Sequence, residues 1–201
     1  MLKKMSMRRE QFKMTLLYDL LDYNKSFVAD EEYKNYVLTK SPNKKMVLVS
    51  CMDTRLTEMS FKSLGLKNGD IKHIQNAGGV ISHPYGSTVR SILVAVYMLG
   101  VEEVVIMGHH DCGFGALKPE PMIEEMKKRG ISENTFDVLE HSRINITNWL
   151  QGFDSVEESV KDSVRKVHDH PLFDNSVPVH GLVIDPDNGK VDLVVDGYKK
   201  D

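Results

Sequence analysis

Two short segments of this chain carry side chains that could do chemistry together. They are Cys51-Met52-Asp53-Thr54-Arg55 and Gly108-His109-His110-Asp111-Cys112-Gly113. Between them they offer two thiols, imidazole and a carboxylate–guanidinium pair. Thiolate and imidazole are donors that Zn²⁺ favours, and a catalytic zinc site takes three protein ligands and keeps a fourth position for water. The plain alternative is two buried apolar thiols, because free cysteine is among the most buried residue types. The flanks favour the metal. A core cysteine has no need of an aspartate two positions on and an arginine two beyond it. Nor does it need two histidines just upstream. His109 and His110 stand three and two residues before Cys112. Both are open as the imidazole ligand on spacing alone. Asp111 reads as a cap for the following turn.

These segments must be positioned by regular elements. Met46-Val47-Leu48-Val49-Ser50 is a short apolar run that suits a strand buried on both faces, and it ends at Cys51. Leu56 to Leu64 reads as a helix stopped by Gly65, and Asp70 to Gln75 as a second strand. Asn76-Ala77-Gly78-Gly79 then permits backbone geometry that other residues resist. Ser87 to Leu99 is an apolar helix with Gly100 as its stop. Val104-Val105-Ile106-Met107 is the next buried strand and runs into His109. Helices are expected over Pro121–Arg129, Glu133–Leu150 and Val156–Val167. Val179–Ile184 and Val191–Val195 flank Asn188-Gly189, a hairpin signal.

This alternation predicts an α/β fold: a mostly parallel central sheet with helices on both faces and a C-terminal antiparallel strand. Both clusters begin where a buried strand ends, which is where sites form in open parallel sheets. Ahead of the first strand lies an N-terminal helical arm. Phe12, Leu16 and Leu20 form a stripe that Leu17 and Leu21 widen. Asp30-Glu31-Glu32 opens a second short helix. The wide stripe needs a cover, either its own core or a partner subunit, and the partner is favoured because the arm connects no strands.

The 201 residues suit one α/β domain with a substantial core. Hydrophobic residues make up 41% and charged residues 27%, with a net charge of -3, so no basic surplus points to nucleic acid. No apolar run is long enough to span a membrane, and the basic N-terminus lacks the apolar stretch of a signal peptide. Two cysteines without a secretion signal fit a reducing cytoplasm. The remaining histidines read as ordinary: His83 in a loop, His180 in strand packing, and His168-Asp169-His170 in a solvated turn.

Cys51-x-Asp53-x-Arg55 followed by His109-x-x-Cys112 resembles the zinc signature of the β-class carbonic anhydrases, in particular their compact microbial members. Asn76-Ala77-Gly78-Gly79, Arg90-Ser91 and Val179-His180-Gly181-Leu182-Val183 resemble that family too, so the similarity covers about Lys45 to Val195. Gln75 departs from it, standing where many members carry arginine. The resemblance implies one Zn²⁺ per chain held by Cys51, His109 and Cys112, with His110 left facing solvent. It also implies a homodimer or dimer-based oligomer embraced by the N-terminal helices. Its activity would be reversible hydration of CO₂ to bicarbonate and a proton by zinc-bound hydroxide.

Two thiolates donate more charge than two imidazoles, so the metal-bound water needs help. Asp53 can accept its hydrogen bond, and Arg55 can hold Asp53 in a charge-assisted pair that keeps it ionised. In some members of the family the equivalent carboxylate swings onto zinc as a fourth ligand in a closed state. Gly78 and Gly79 would let backbone approach the substrate pocket. Three rivals share these residues. One is hydrolysis of carbonyl sulfide or carbon disulfide on the same site. Another is a non-catalytic zinc module, which would want a fourth protein ligand. The last is a Cys51–Cys112 thiol switch.

Overall fold

The apolar segment Met46–Cys51 becomes strand β1, fully buried from Val47 onward. In the computed structural model the backbone is described from residue 2 to 199 and side chains from residue 16. Chain order continues through α2 (Leu56–Lys62), β2 (Ile71–Asn76), α3 (Ser87–Leu99) and β3 (Glu103–His109). Then come α4 (Pro119–Lys128), α5 (Glu133–His141), α6 (Ile146–Leu150), α7 (Val156–His168), β4 (Val179–Ile184) and β5 (Val191–Val195). The five strands lie in the order β2-β1-β3-β4-β5. The first four are parallel and β5 is antiparallel to β4. The expected fold class holds.

Side chains alternate across the sheet because successive residues of a strand point to opposite faces. On one face Val47, Val49, Val104 and Ile106 pack with Val89, Ile92 and Ala95 of α3 and with Val160, Val164 and Val167 of α7. On the other, Leu48, Val105, Met107 and Ile184 pack with Leu56 of α2. Helix α7 seats close to the sheet because two strand positions lack a side chain. A Cβ on Gly108 would lie 2.6 Å from Val156 Cγ2, and one on Gly181 would lie 2.7 Å from Val160 Cγ1.

The order of strands creates the site. The chain leaves β1 for β2 on one side and returns through α3 to β3 on the other side of β1. Loops following β1 and β3 therefore diverge at a switch point, the place where open α/β sheets bind ligands. Ser50 pairs with Met107, so Cys51 and His109 both emerge at the same edge.

One expected helix divides. The stretch Glu133–Leu150 breaks at Ser142–Asn145, where Arg143 takes a left-handed φ of 60°. Asn145 caps α6, its side-chain oxygen accepting from the Asn148 N–H at 2.8 Å. A capping asparagine offers the backbone a partner that competes with helix continuation.

Residues 1–39 form a separate compact unit from 40–201. That first unit holds helix α1 (Leu2–Ala29) and a 3₁₀ turn at Glu32–Tyr36, with the Phe27 and Tyr36 rings 6.0 Å apart. Leu16, Leu17, Leu20 and Leu21 are exposed. Phe12, the first member of the expected stripe, lies outside the described side chains. Among the described residues no helix is long and apolar enough to cross a membrane.

Candidate metal centre

Cys51 closes β1 and His109 closes β3, on neighbouring strands about 4.8 Å apart in any sheet. Cys112 returns to them three residues later, after Asp111 takes a left-handed φ of 51°. The two sulfurs are 4.0 Å apart. The ligand atoms of Cys51, His109 and Cys112 all lie within 4.8 Å of one another, the one such group among the described residues. Both cysteines are free.

His109 is prepared as a donor. It is 1% exposed, and its Nδ1 lies 2.8 Å from the carbonyl oxygen of His110. A carbonyl only accepts, so Nδ1 carries the proton and Nε2 carries the lone pair. Nε2 is buried and makes no hydrogen bond. Buried polar atoms are nearly always partnered, and a metal ion between two sulfurs would partner this one. The residues present therefore fit a metal. His110 is exposed and its backbone N–H bonds Ile184, so its side chain stands outside the cluster.

The sulfurs are also held by backbone. Amides of Asp53 and Gly78 reach Cys51, and those of Gly115 and Phe114 reach Cys112. The adjacent thiols titrate as a pair. A proton shared from Cys51 to Cys112, together with burial, pushes the Cys51 thiol up to about 12. The same hydrogen bond draws Cys112 down to about 6. Burial opposes protonation of His109, but the adjacent Cys51 sulfur outweighs it and raises its pKa.

Asp53 and Arg55 stand beside the cluster. Arg55 Nε donates to Asp53 Oδ1 at 3.1 Å and Nη2 to Oδ2 at 2.9 Å, while the Arg55 backbone N–H reaches Oδ1 at 2.9 Å. These bonds hold the Asp53 carboxyl down at about 2. Asp53 Oδ2 is 4.0 Å from His109 Nε2. The two predicted segments, 56 residues apart from Arg55 to Asp111, are thus brought into one site.

Gly78 and Gly79 both have positive φ, 80° and 64°. A Cβ on Gly79 would sit 2.9 Å from the Met107 carbonyl oxygen and 3.0 Å from the Cys51 nitrogen. One on Gly78 would sit 2.5 Å from the Phe114 ring. Both glycines therefore let this turn close onto the strand ends and the metal loop.

Sequence reasoning missed two participants, Asp111 and Gln75, and one buried histidine away from the site. Asp111 was expected to cap a turn, yet its carboxylate accepts from Arg55 Nη1 at 3.0 Å and its carbonyl from Nη2 at 3.0 Å. The signal available was an arginine with more donors than one aspartate can use. Gln75 Nε2 donates to the Cys51 carbonyl at 3.2 Å and so anchors a predicted ligand. His170, expected in a solvated turn, is 4% exposed, with its Nδ1 accepting from Leu172 and its ring against Tyr85. His180 is buried, as its strand position suggested.

The carbonic anhydrase family model matches residues 46–191. YtiB of Bacillus subtilis (strain 168), named for the same family, is 51% identical over 185 residues, covering 92% of this chain and 99% of its own. The crystal structure of β-carbonic anhydrase isoform I from Trichomonas vaginalis superposes with a TM-score of 0.80 at 33% identity, covering 90% of this chain and 98% of that one. A carbon disulfide hydrolase of Acidithiobacillus thiooxidans is 25% identical over 154 residues, covering 73% of this chain and 75% of its own. The matched region contains both strand ends and all three candidate donors, and by this measure the chain belongs to the β-carbonic anhydrase family.

Proposed function

We propose that this chain catalyses the reversible hydration of CO₂ to bicarbonate and a proton, at one Zn²⁺ held by Cys51, His109 and Cys112. The observation that carries this reading is the buried, unpartnered His109 Nε2 beside two sulfurs and an arginine-held carboxylate. Two thiolates and an imidazole suit zinc, and three protein donors suit a catalytic rather than a structural site. When bound, zinc supplies a Lewis acid that makes water acidic enough to serve as a nucleophile near neutral pH.

The chain's own residues do the rest. Asp53, kept ionised by Arg55, accepts a hydrogen bond from the attacking water and aims its lone pair at carbon. Arg55 fixes the direction of that acceptor through two parallel N–H bonds. Backbone amides on both sulfurs withdraw some of the charge that two thiolates would donate. Gly78 and Gly79 let the backbone form a wall of the substrate pocket. In a closed state the Asp53 carboxylate would be a fourth ligand to the metal.

Hydrolysis of carbonyl sulfide or carbon disulfide is the second reading, supported by the identity to a carbon disulfide hydrolase. The higher identity to a β-carbonic anhydrase of known structure favours CO₂. We read residues 1–201 as one functional domain in a homodimer or dimer-based oligomer. Its 1–40 arm packs its exposed leucines on the neighbouring subunit. A reducing cytoplasm suits two thiol ligands.

The test is stopped-flow CO₂ hydration against pH, on zinc-loaded wild type beside Asp53→Ala. Hydration that rises with pH and collapses in the variant supports the reading. No hydration at any pH, with one zinc still bound per chain, sinks it and directs the assay to the two sulfur substrates.

A further inference from the structure

Arg55 has five N–H donors in a planar fork. Two face Asp53, through Nε and Nη2. Two more face Asp111: Nη1 reaches its carboxylate and Nη2 its backbone carbonyl, each at 3.0 Å. The guanidinium is thus gripped along two adjoining edges by loops that follow different strands. Asp53 alone would leave the fork free to swing about its own long side chain. The second grip removes that freedom.

The geometry points to Asp111 as a positioning residue: it fixes Arg55, and through Arg55 the orientation of Asp53. This rests on the functional reading above for its consequence in catalysis, but not for the clamp itself. Two features make the position particular. Its φ of 51° is a left-handed conformation that few residues other than glycine, asparagine and aspartate adopt readily. Its carboxylate is 86% exposed, so solvent screens the charge pair and its contribution should be modest.

Those features choose the variants. Asp111→Gly keeps the backbone and its carbonyl bond to Arg55 and removes the carboxylate. Asp111→Asn keeps one side-chain acceptor without the charge. An alanine would confound the result with backbone strain.

The direct readout is water exchange of the Arg55 Nε–H, by NMR on ¹⁵N-labelled, zinc-loaded full chain. The Arg55 signal is the one missing in Arg55→Lys. Exchange should rise roughly two- to five-fold in Asp111→Gly, the range expected for an exposed ion pair, with Asp111→Asn in between. The backbone amide spectrum should change only locally, and high salt should narrow the difference. In CO₂ hydration kcat should fall by a similar factor with KM unchanged, because Asp111 touches no substrate. Unchanged Nε–H exchange in Asp111→Gly would overturn the proposal. So would faster exchange with wild-type kcat, since Arg55 would then be held without being positioned for the reaction. If the wild type itself hydrates no CO₂, the functional reading fails, and the exchange rates alone decide whether Asp111 fixes Arg55.

Discussion

Asp53 and Arg55 meet fork to fork, Nε on Oδ1 at 3.1 Å and Nη2 on Oδ2 at 2.9 Å, with Asp53 Oδ2 4.0 Å from the nearest imidazole nitrogen of His109. A carboxylate so held stays charged until the pH falls to about 2. It also points one way, since a bidentate pair fixes direction as well as distance.

The first consequence is in acid. The Asp53 carboxyl is held at about 2, below its ordinary 3.8. A depressed carboxyl contributes stability that is present above the unfolded value and is lost as pH falls through the folded value. Asp53→Asn stays neutral throughout. The melting temperatures of wild type and Asp53→Asn should therefore differ above about pH 4, converge between 4 and 2, and coincide below that. A gap of constant size across this range, by calorimetry, would rule out the charge pair as its cause.

Metal content separates the three candidate donors from their neighbours. Cys51→Ser, Cys112→Ser and His109→Ala should each lower bound zinc well below one per chain after dialysis. His110→Ala should retain it, because that side chain is exposed and outside the cluster. Elemental analysis of the purified variants decides this. Retention by His109→Ala with loss by His110→Ala would reassign the imidazole.

Removal of the metal should reveal the thiol pair. The first proton leaves Cys112 near 6 and the second stays on Cys51 up to about 12. Iodoacetamide at pH 7.5 should then alkylate Cys112 first in chelator-treated protein, more slowly as pH drops through 6. Zinc-loaded protein should resist at both positions. Peptide mapping that finds Cys51 modified first would contradict this order.

Gly79→Ala should destabilise the fold by roughly 2–5 kcal/mol. A left-handed φ costs a non-glycine residue about 1–2 kcal/mol, and the new Cβ would press on the Met107 carbonyl and the Cys51 amide at 3.0 Å or less. Urea unfolding measures it. A midpoint equal to wild type would mean the turn can open away from the strand ends at little cost.

The exposed leucines of α1 bear on assembly. Leu17→Asp with Leu21→Asp should shift the mass seen by light scattering toward the monomer if they face a second subunit. An unchanged mass would remove the arm from the subunit interface.

Much of this protein was legible in its sequence because the relevant signals are local. The short apolar runs Met46–Ser50 and Val104–Met107 identified β1 and β3, and each run led into a polar cluster at its end. Cys51, Asp53, Arg55 and Cys112 could be named because residue type and short spacing limit the chemistry available to them, whereas the choice of His109 over His110 came from the family resemblance. The division of the Glu133–Leu150 helix was not legible, since Arg143 in a left-handed conformation has no local signature and Asn145 reads equally well inside a helix or as a cap. The burial of His170 depended on Tyr85, a long-range neighbour. Above all, the convergence of the two clusters, the tautomer of His109 and the second grip of Asp111 on Arg55 are relations across 56 or more residues, or consequences of which carbonyl a ring nitrogen meets. Local propensity cannot specify them. They follow from strand order, which sets β1 beside β3 at a switch point, and from the close packing that brings a backbone carbonyl, two sulfurs and a guanidinium into bonding range.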